Sequence, residues 1–143
     1  MNADTQLTVG IHILCLLASQ PGERITSEWI AGSVNTNPVV VRRTLGKLRR
    51  AGLVRSANGK GGGWELLRPP ESISLRELFA LLRTAPVLAM HRDAPNPQCP
   101  IGAGIQRALP GYYRQAEEAL ASSLGTVTIA DVLGSVLRAQ AAG

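Results

Sequence analysis

Cysteine is scarce in this 143-residue chain. Its two cysteines, Cys15 and Cys99, are too few and too distant for the disulfide framework of a small secreted domain, and a reducing compartment keeps such thiols free. Long hydrophobic runs are missing too: the longest, Ile13 to Ala18, falls well short of the roughly 20 residues that span a bilayer. The polar start Met1-Asn2-Ala3-Asp4 lacks the charged n-region of a signal peptide. A cytoplasmic protein with no membrane partner is therefore expected. Histidine is limited to His12 and His91, which leaves little for acid–base or metal chemistry. A thiol site built from Cys99, His91 and Asp93 is conceivable, but no oxyanion hole or substrate pocket accompanies it, so no enzyme and no catalytic residue are expected.

The most informative absence is of negative charge. Between Glu28 and Glu65 there is no acidic residue, while Arg42, Arg43, Lys47, Arg49, Arg50, Arg55 and Lys60 all fall there. The formal net charge of +5 is thus concentrated in one segment, which favours an anionic partner unless it is simply a solvated helix face.

What the chain does contain orders itself around that segment. Leu7 to Ala18 is apolar on nearly every side and reads as a buried first helix holding His12 and Cys15. Thr26-Ser27-Glu28 offers caps for a short helix with Trp29, Ile30 and Ala31, and Gly32-Ser33 near its end loosens the chain into a turn. Asn37 then caps a helix with Pro38 at its first position, running to about Ala51 and stopped by Gly52. At ~100° per residue, Val41, Leu45 and Leu48 face the core, whereas Val39, Val40, Arg43, Lys47 and Arg50 point away. Helix, tight turn and helix make the unit that proteins lay in the major groove. Val39 and Val40 either meet thymine methyl groups there or are covered by another part of the fold.

Past Gly52, Leu53 to Ser56 and Trp64 to Leu67 alternate as short strands joined by Asn58 to Gly63, a wing. A nucleotide-binding P-loop needs its lysine after the last glycine and before Ser or Thr at a helix start; here Lys60 precedes Gly61-Gly62-Gly63 and a strand follows. The glycines instead suit backbone amides and Lys60 approaching the minor groove.

Ser27-Glu28-x-Ile30-Ala31, Asn37-Pro38-Val39-Val40-Val41-Arg42-Arg43, Leu45-x-x-Leu48-x-x-Ala51-Gly52-Leu53-Val54, Gly59-x-Gly61-Gly62-Gly63-Trp64-x-Leu66 and Ile73-Ser74-Leu75 together resemble the Rrf2 family of bacterial winged-helix transcription regulators, which includes the IscR and NsrR types. The resemblance runs on through Asn96-Pro97-x-Cys99-Pro100-Ile101-Gly102 and is nearest the cluster-free YwnA-like subgroup. It implies a mainly α fold with a small β wing (α+β). The expected layout is a winged helix-turn-helix over residues 1–84, an effector or sensor loop over 85–109 and dimerisation helices over 110–143. It also implies a sequence-specific repressor that binds double-stranded DNA as a homodimer on an inverted repeat. The expected DNA contacts are Asn37, Val39, Val40, Arg42, Arg43 and Lys47 on the helix and Arg55, Asn58 and Lys60 on the wing. The alternative is a winged helix that grips only another protein.

Beyond the wing, Ser74-x-x-Glu77 is a capping box opening a helix through about Arg83, and a Pro- and Ala-rich loop over Pro86 to Pro100 leads to a helix after Pro110. There Tyr113, Ala116, Leu120 and Ser123 recur at spacings of three and four, a seam for a second copy or a cover for the chain's own core. Thr128-x-x-Asp131 caps a last helix whose Ile129, Val132, Leu133, Val136 and Leu137 are expected to face inward. Cluster-bearing relatives place three cysteines in the loop; this chain has only Cys99, so neither an iron–sulfur cluster nor another metal or cofactor is expected. Cys99 is either a reactive thiol near a helix start, open to an oxidant or small-molecule effector, or a small apolar filler under the loop.

Overall fold

A computed structural model describes residues 5–59 and 62–143. Six helices and a two-stranded antiparallel sheet follow in the order α1 (Gln6–Ser19), α2 (Ser27–Val34), α3 (Pro38–Arg50), β1 (Val54–Ala57), β2 (Gly63–Leu66), α4 (Leu75–Leu82), α5 (Pro100–Leu124) and α6 (Ile129–Ala142). A single turn of 3-10 helix at Pro70–Ser72 leads into α4.

The helix starts are chemically specified. Thr26 accepts a hydrogen bond from the Trp29 N–H, Asn37 from the Val39 N–H at 2.9 Å, and Thr128 from the Asp131 N–H while Asp131 accepts in return from Thr128, a complete capping box. The box expected at Ser74 is only half made. Ser74 accepts from the Glu77 N–H, but the Glu77 carboxylate is engaged by Arg68, at 2.6 and 3.2 Å. Nor does α2 loosen at Gly32-Ser33: it continues to Val34 and ends on Asn35, the one non-glycine residue at positive φ (55°) among those described.

The core is a layer of helices around α1. Val9, Ile13, Leu14 and Leu17 of α1 meet Ile30 of α2, Val41, Leu45 and Leu48 of α3, and Leu78 and Leu82 of α4, with Leu53, Val54, Ile73 and Ile129 completing it. Gly10 lets α1 and α4 touch, because a Cβ there would collide with the Leu82 side chain. Thr44, buried with the α3 face, satisfies its hydroxyl by donating to the Val40 carbonyl at 2.8 Å.

The wing strands lie one residue from the expected ranges, with Val54 opposite Leu66, Arg55 opposite Glu65 and Ser56 opposite Trp64. Ile25 adds a one-residue third strand, exchanging both backbone hydrogen bonds with Trp64 (3.0 and 2.8 Å), and the Trp64 indole N–H donates to Ser27. The sheet is thereby fastened to the start of α2.

Two expectations fail toward the C-terminus. First, α5 begins at Pro100 rather than after Pro110, which sits inside it. Pro110 cannot donate to the carbonyl four residues back and its ring crowds that carbonyl, yet the helix carries on across it. Second, Val136 and Leu137 of α6 are 50% and 55% exposed rather than inward-facing, whereas Ile129 is fully buried. The final helix returns to the body at its start and leaves it at its end. There the Ile129 N–H donates to the Ile73 carbonyl and the Leu75 N–H to the Val127 carbonyl, both at 2.9 Å.

Candidate nucleic-acid interface

Helix α3 separates its residues by chemistry. Val41, Thr44, Leu45 and Leu48 are buried, Arg43 and Arg50 point away from that face, and Arg42 and Arg49 stand on its flanks, all four arginines exposed. Its valine start divides: Val39 is 47% exposed and uncovered by the fold, while Val40 is half-buried. Lys47 departs from the outward orientation expected of it. It lies half-buried on the helix flank, about 110° from the centre of the core face, and its ammonium donates to the Gln6 side chain of α1 at 2.9 Å. Asn37 is exposed, with its side-chain oxygen engaged in capping.

On the wing, Asn58 is exposed and Lys60 lies outside the described residues. Arg55, 61% exposed, donates to the Glu65 carboxylate at 2.5 Å, and Arg24 from the loop between α1 and α2 approaches the same oxygen at 3.7 Å. These guanidinium groups, Arg55 foremost, hold the Glu65 carboxyl below the usual carboxylate range against the opposing effect of its burial. Neither Arg24 nor Glu65 is signalled in the sequence, because Ile25 as a strand of one residue is too short to show alternation.

The wing glycines have an internal cause as well as an external one. Gly63 adopts φ 138°, and a Cβ there would come within 2.8 Å of the Ile25 carbonyl oxygen; at Gly62 it would strike the Ala57 carbonyl. These two positions are glycine because the α1–α2 loop and the turn itself occupy the space. The expectation that they serve an approach to phosphate is not needed to explain them.

The remaining candidates fall on or next to α5. None of its 25 residues is buried. Glu117 and Glu118 face α4, pairing with Arg83 (3.8 Å) and Arg76 (3.1 Å), and Glu117 also accepts from the Val87 N–H at 3.1 Å. The other side exposes Ala116, Leu120 and Ser123 of the expected seam, whereas Tyr113 is half-buried. The exposed apolar row also takes in Tyr112 (69% exposed) and continues N-terminally through Ile105 and Ile101 (43% and 75%), which a helix start after Pro110 leaves out.

Cys99 immediately precedes α5 and is exposed, which removes the reading of it as a filler under the loop. Cys15 is half-buried in α1, where burial pushes its thiol pKa up. His91 and Asp93 are exposed loop residues.

A family model described as "Iron-dependent Transcriptional regulator", Rrf2, matches residues 3–135. The HTH-type transcriptional regulator YwnA of Bacillus subtilis is 39% identical over 131 residues, spanning 91% of this chain and 96% of that protein. Among solved structures, one titled as a DNA binding protein superposes with a TM-score of 0.71 at 36% identity over 90% of this chain and 98% of its own. T. potens IscR gives 0.73 at 21% identity over 98% of this chain and 91% of that one, a likeness of fold. Among the described residues no three His, Cys, Asp or Glu side chains stand together as a metal site. With a helix-turn-helix whose free face is cationic and a wing fastened beside it, the chain belongs to the Rrf2 family of DNA-binding transcriptional regulators and is not an enzyme.

Proposed function

We propose that the protein is a homodimeric repressor that reads an inverted repeat in double-stranded DNA. The observation that carries the reading is the division of α3, wholly buried on one side and arginine-covered on the other, with Asn37 and Val39 at its exposed start. Such a helix enters the major groove N-terminus first, placing Val39, Val40, Arg42 and Arg43 near base edges. Lys47 serves from the flank and Arg55, Asn58 and Lys60 from the wing. A second copy supplies the other half-site about one helical turn away, ~34 Å. The exposed apolar seam of α5, including Tyr113, Ala116, Leu120 and Ser123, supports pairing through that helix. Bound to an operator, such a dimer excludes polymerase, which suffices for repression in the cytoplasm. Release falls to an oxidant or small molecule acting at the loop before α5, where Cys99 is open to solvent.

The test is selection of bound fragments from genomic DNA, followed by titration of the enriched duplex. An inverted repeat should emerge, and Arg43→Ala should relax preference at one base pair of each half-site by roughly 1–3 kcal/mol. Enrichment without any repeat, or an unchanged preference in the variant, refutes this surface. For release, diamide should weaken operator binding by wild type and leave Cys99→Ser unaffected; full affinity in treated wild type rules out the thiol.

A further inference from the structure

The outer face of the wing carries a row of three charges whose geometry follows from strand register. Arg55 on β1 stands directly opposite Glu65 on β2. The antiparallel bridge between Ile25 and Trp64 sets the register on the other edge, and in that register Arg24 also stands opposite Glu65. Val54, Leu66, Ile25 and Trp64 turn to the core or pack against it, so the row Arg24–Glu65–Arg55 occupies the solvent side of the sheet. The Arg24 and Arg55 side chains are 43% and 61% exposed while the Glu65 side chain between them is only 19% exposed. They border a shallow cleft of about 760 Å³ that also takes in Thr26 at the cap of α2 and Gly59 and Gly62 of the wing loop.

Arg24 and Arg55 flank Glu65 from the two sides of β2, so their like charges repel across it, and each long side chain has many rotamers to lose on docking. A carboxylate held between them cancels the repulsion and fixes both planes before any ligand arrives. With Glu23 also lining the cleft, guanidinium and carboxylate charges balance there. The cleft therefore offers directed N–H donors in place of a diffuse positive field. Directed donors suit a phosphate diester, which a guanidinium can bridge with two N–H groups.

We propose that Arg24 is a further DNA-backbone contact and that Glu65 is the positioning residue that presents Arg24 and Arg55 together to phosphates flanking the minor groove beside the wing. The inference rests on the wing reading above. Its distinctive consequence concerns discrimination: by halving the charge of the row, Glu65 limits attraction to any duplex and reserves the two arginines for DNA seated in register.

The full-length chain is titrated with a random-sequence duplex and with the duplex enriched from genomic fragments, each over a range of salt. Arg24→Ala should make the salt slope of both less steep by about 0.9 per subunit, about 1.8 for the dimer, a loss of roughly sixtyfold near 0.1 M salt. Arg24→Lys should retain the slope. Glu65→Gln should raise affinity for the random duplex and narrow the ratio between the two, which a purely structural role for the carboxylate would leave alone. Wild-type slope and affinity in Arg24→Ala, or an unchanged ratio in Glu65→Gln, overturns the proposal; the former outcome gives the row to an acidic protein instead. Arg43→Ala measured alongside separates the failures. If it alone weakens binding, the helix reading stands without the row; if neither arginine matters, the surface itself is misassigned.

Discussion

Among the described residues, every buried apolar side chain lies between Val9 and Leu82 or at Ile129, whereas α5, the longest element, buries none. The two regions share a composition of aliphatic residues and helix formers, so propensity does not distinguish them. A helix in water owes most of its stability to the packing of one face. The winged body has that packing within itself. Helix α5 buries no residue fully: Leu109, Tyr113, Ala121 and Leu124 are half-buried, Glu117 and Glu118 pair with α4, and a row of Ile101, Ile105, Tyr112 and Leu120 stays uncovered, which on the proposed dimer is completed by a second copy. One region is then stable by its own sequence and the other by concentration.

The strongest way to break this contrast is at the centre of the body. Leu45→Ala removes a fully buried side chain of α3 and should lower unfolding free energy by about 2–5 kcal/mol, read from denaturant titration at fixed protein concentration. On the arm the outcome should differ in kind. Leu120→Arg should leave the midpoint of a dilute sample nearly unchanged while weakening dimerisation by about 3 kcal/mol, roughly 100-fold in the dissociation constant, as followed by sedimentation. A dimer of undiminished affinity would show that the seam lies elsewhere. Thr128→Ala tests the junction between the two, because it removes half of the capping box that starts α6; a loss of about 1 kcal/mol in body stability is expected, with dimerisation unaltered.

The smallest effect is set by acid. The folded pKa of Glu65 is depressed, so its stabilisation is fully present above the ordinary carboxylate range and disappears as pH falls through the lower folded value. Wild type and Glu65→Gln should therefore differ in thermal midpoint at neutral pH and converge in acid. A difference that persists unchanged to low pH would mean that the carboxylate's charge is not what the arginines hold.

Legibility in the sequence followed the range of the interactions. Helix α3 was readable because its cap, its first-turn proline and its apolar spacing all lie within thirteen residues and agree. The flank position of Lys47 was not, since its partner Gln6 is 41 residues away. The start of α5 was hidden by Pro100 and Pro110, both plausible first-turn prolines; only the continuous helix decides between them. On the wing, strand alternation gave the hairpin and its loop, but the third strand contributed by Ile25 comes from the turn after α1, and with it came the reason for Gly63 and the company of Arg24. The side chains proposed to face DNA were thus chosen by local pattern, and their neighbours emerged from tertiary contact.

Ile129 has an implication for anyone who would recombine regulators of this type. The chain quits the winged body after Leu82, travels out along α5 and comes back so that Ile129 closes the same core that α1 began, pinned by the backbone bond to Ile73. The portable recognition unit is accordingly discontinuous: it comprises the N-terminal stretch and α6 together, and the segment between them is topologically an insertion. A chimaera cut after residue 84 would leave a hole where Ile129 belongs, whereas exchanging only the inserted loop and α5 would transplant the proposed pairing arm while leaving the winged core intact.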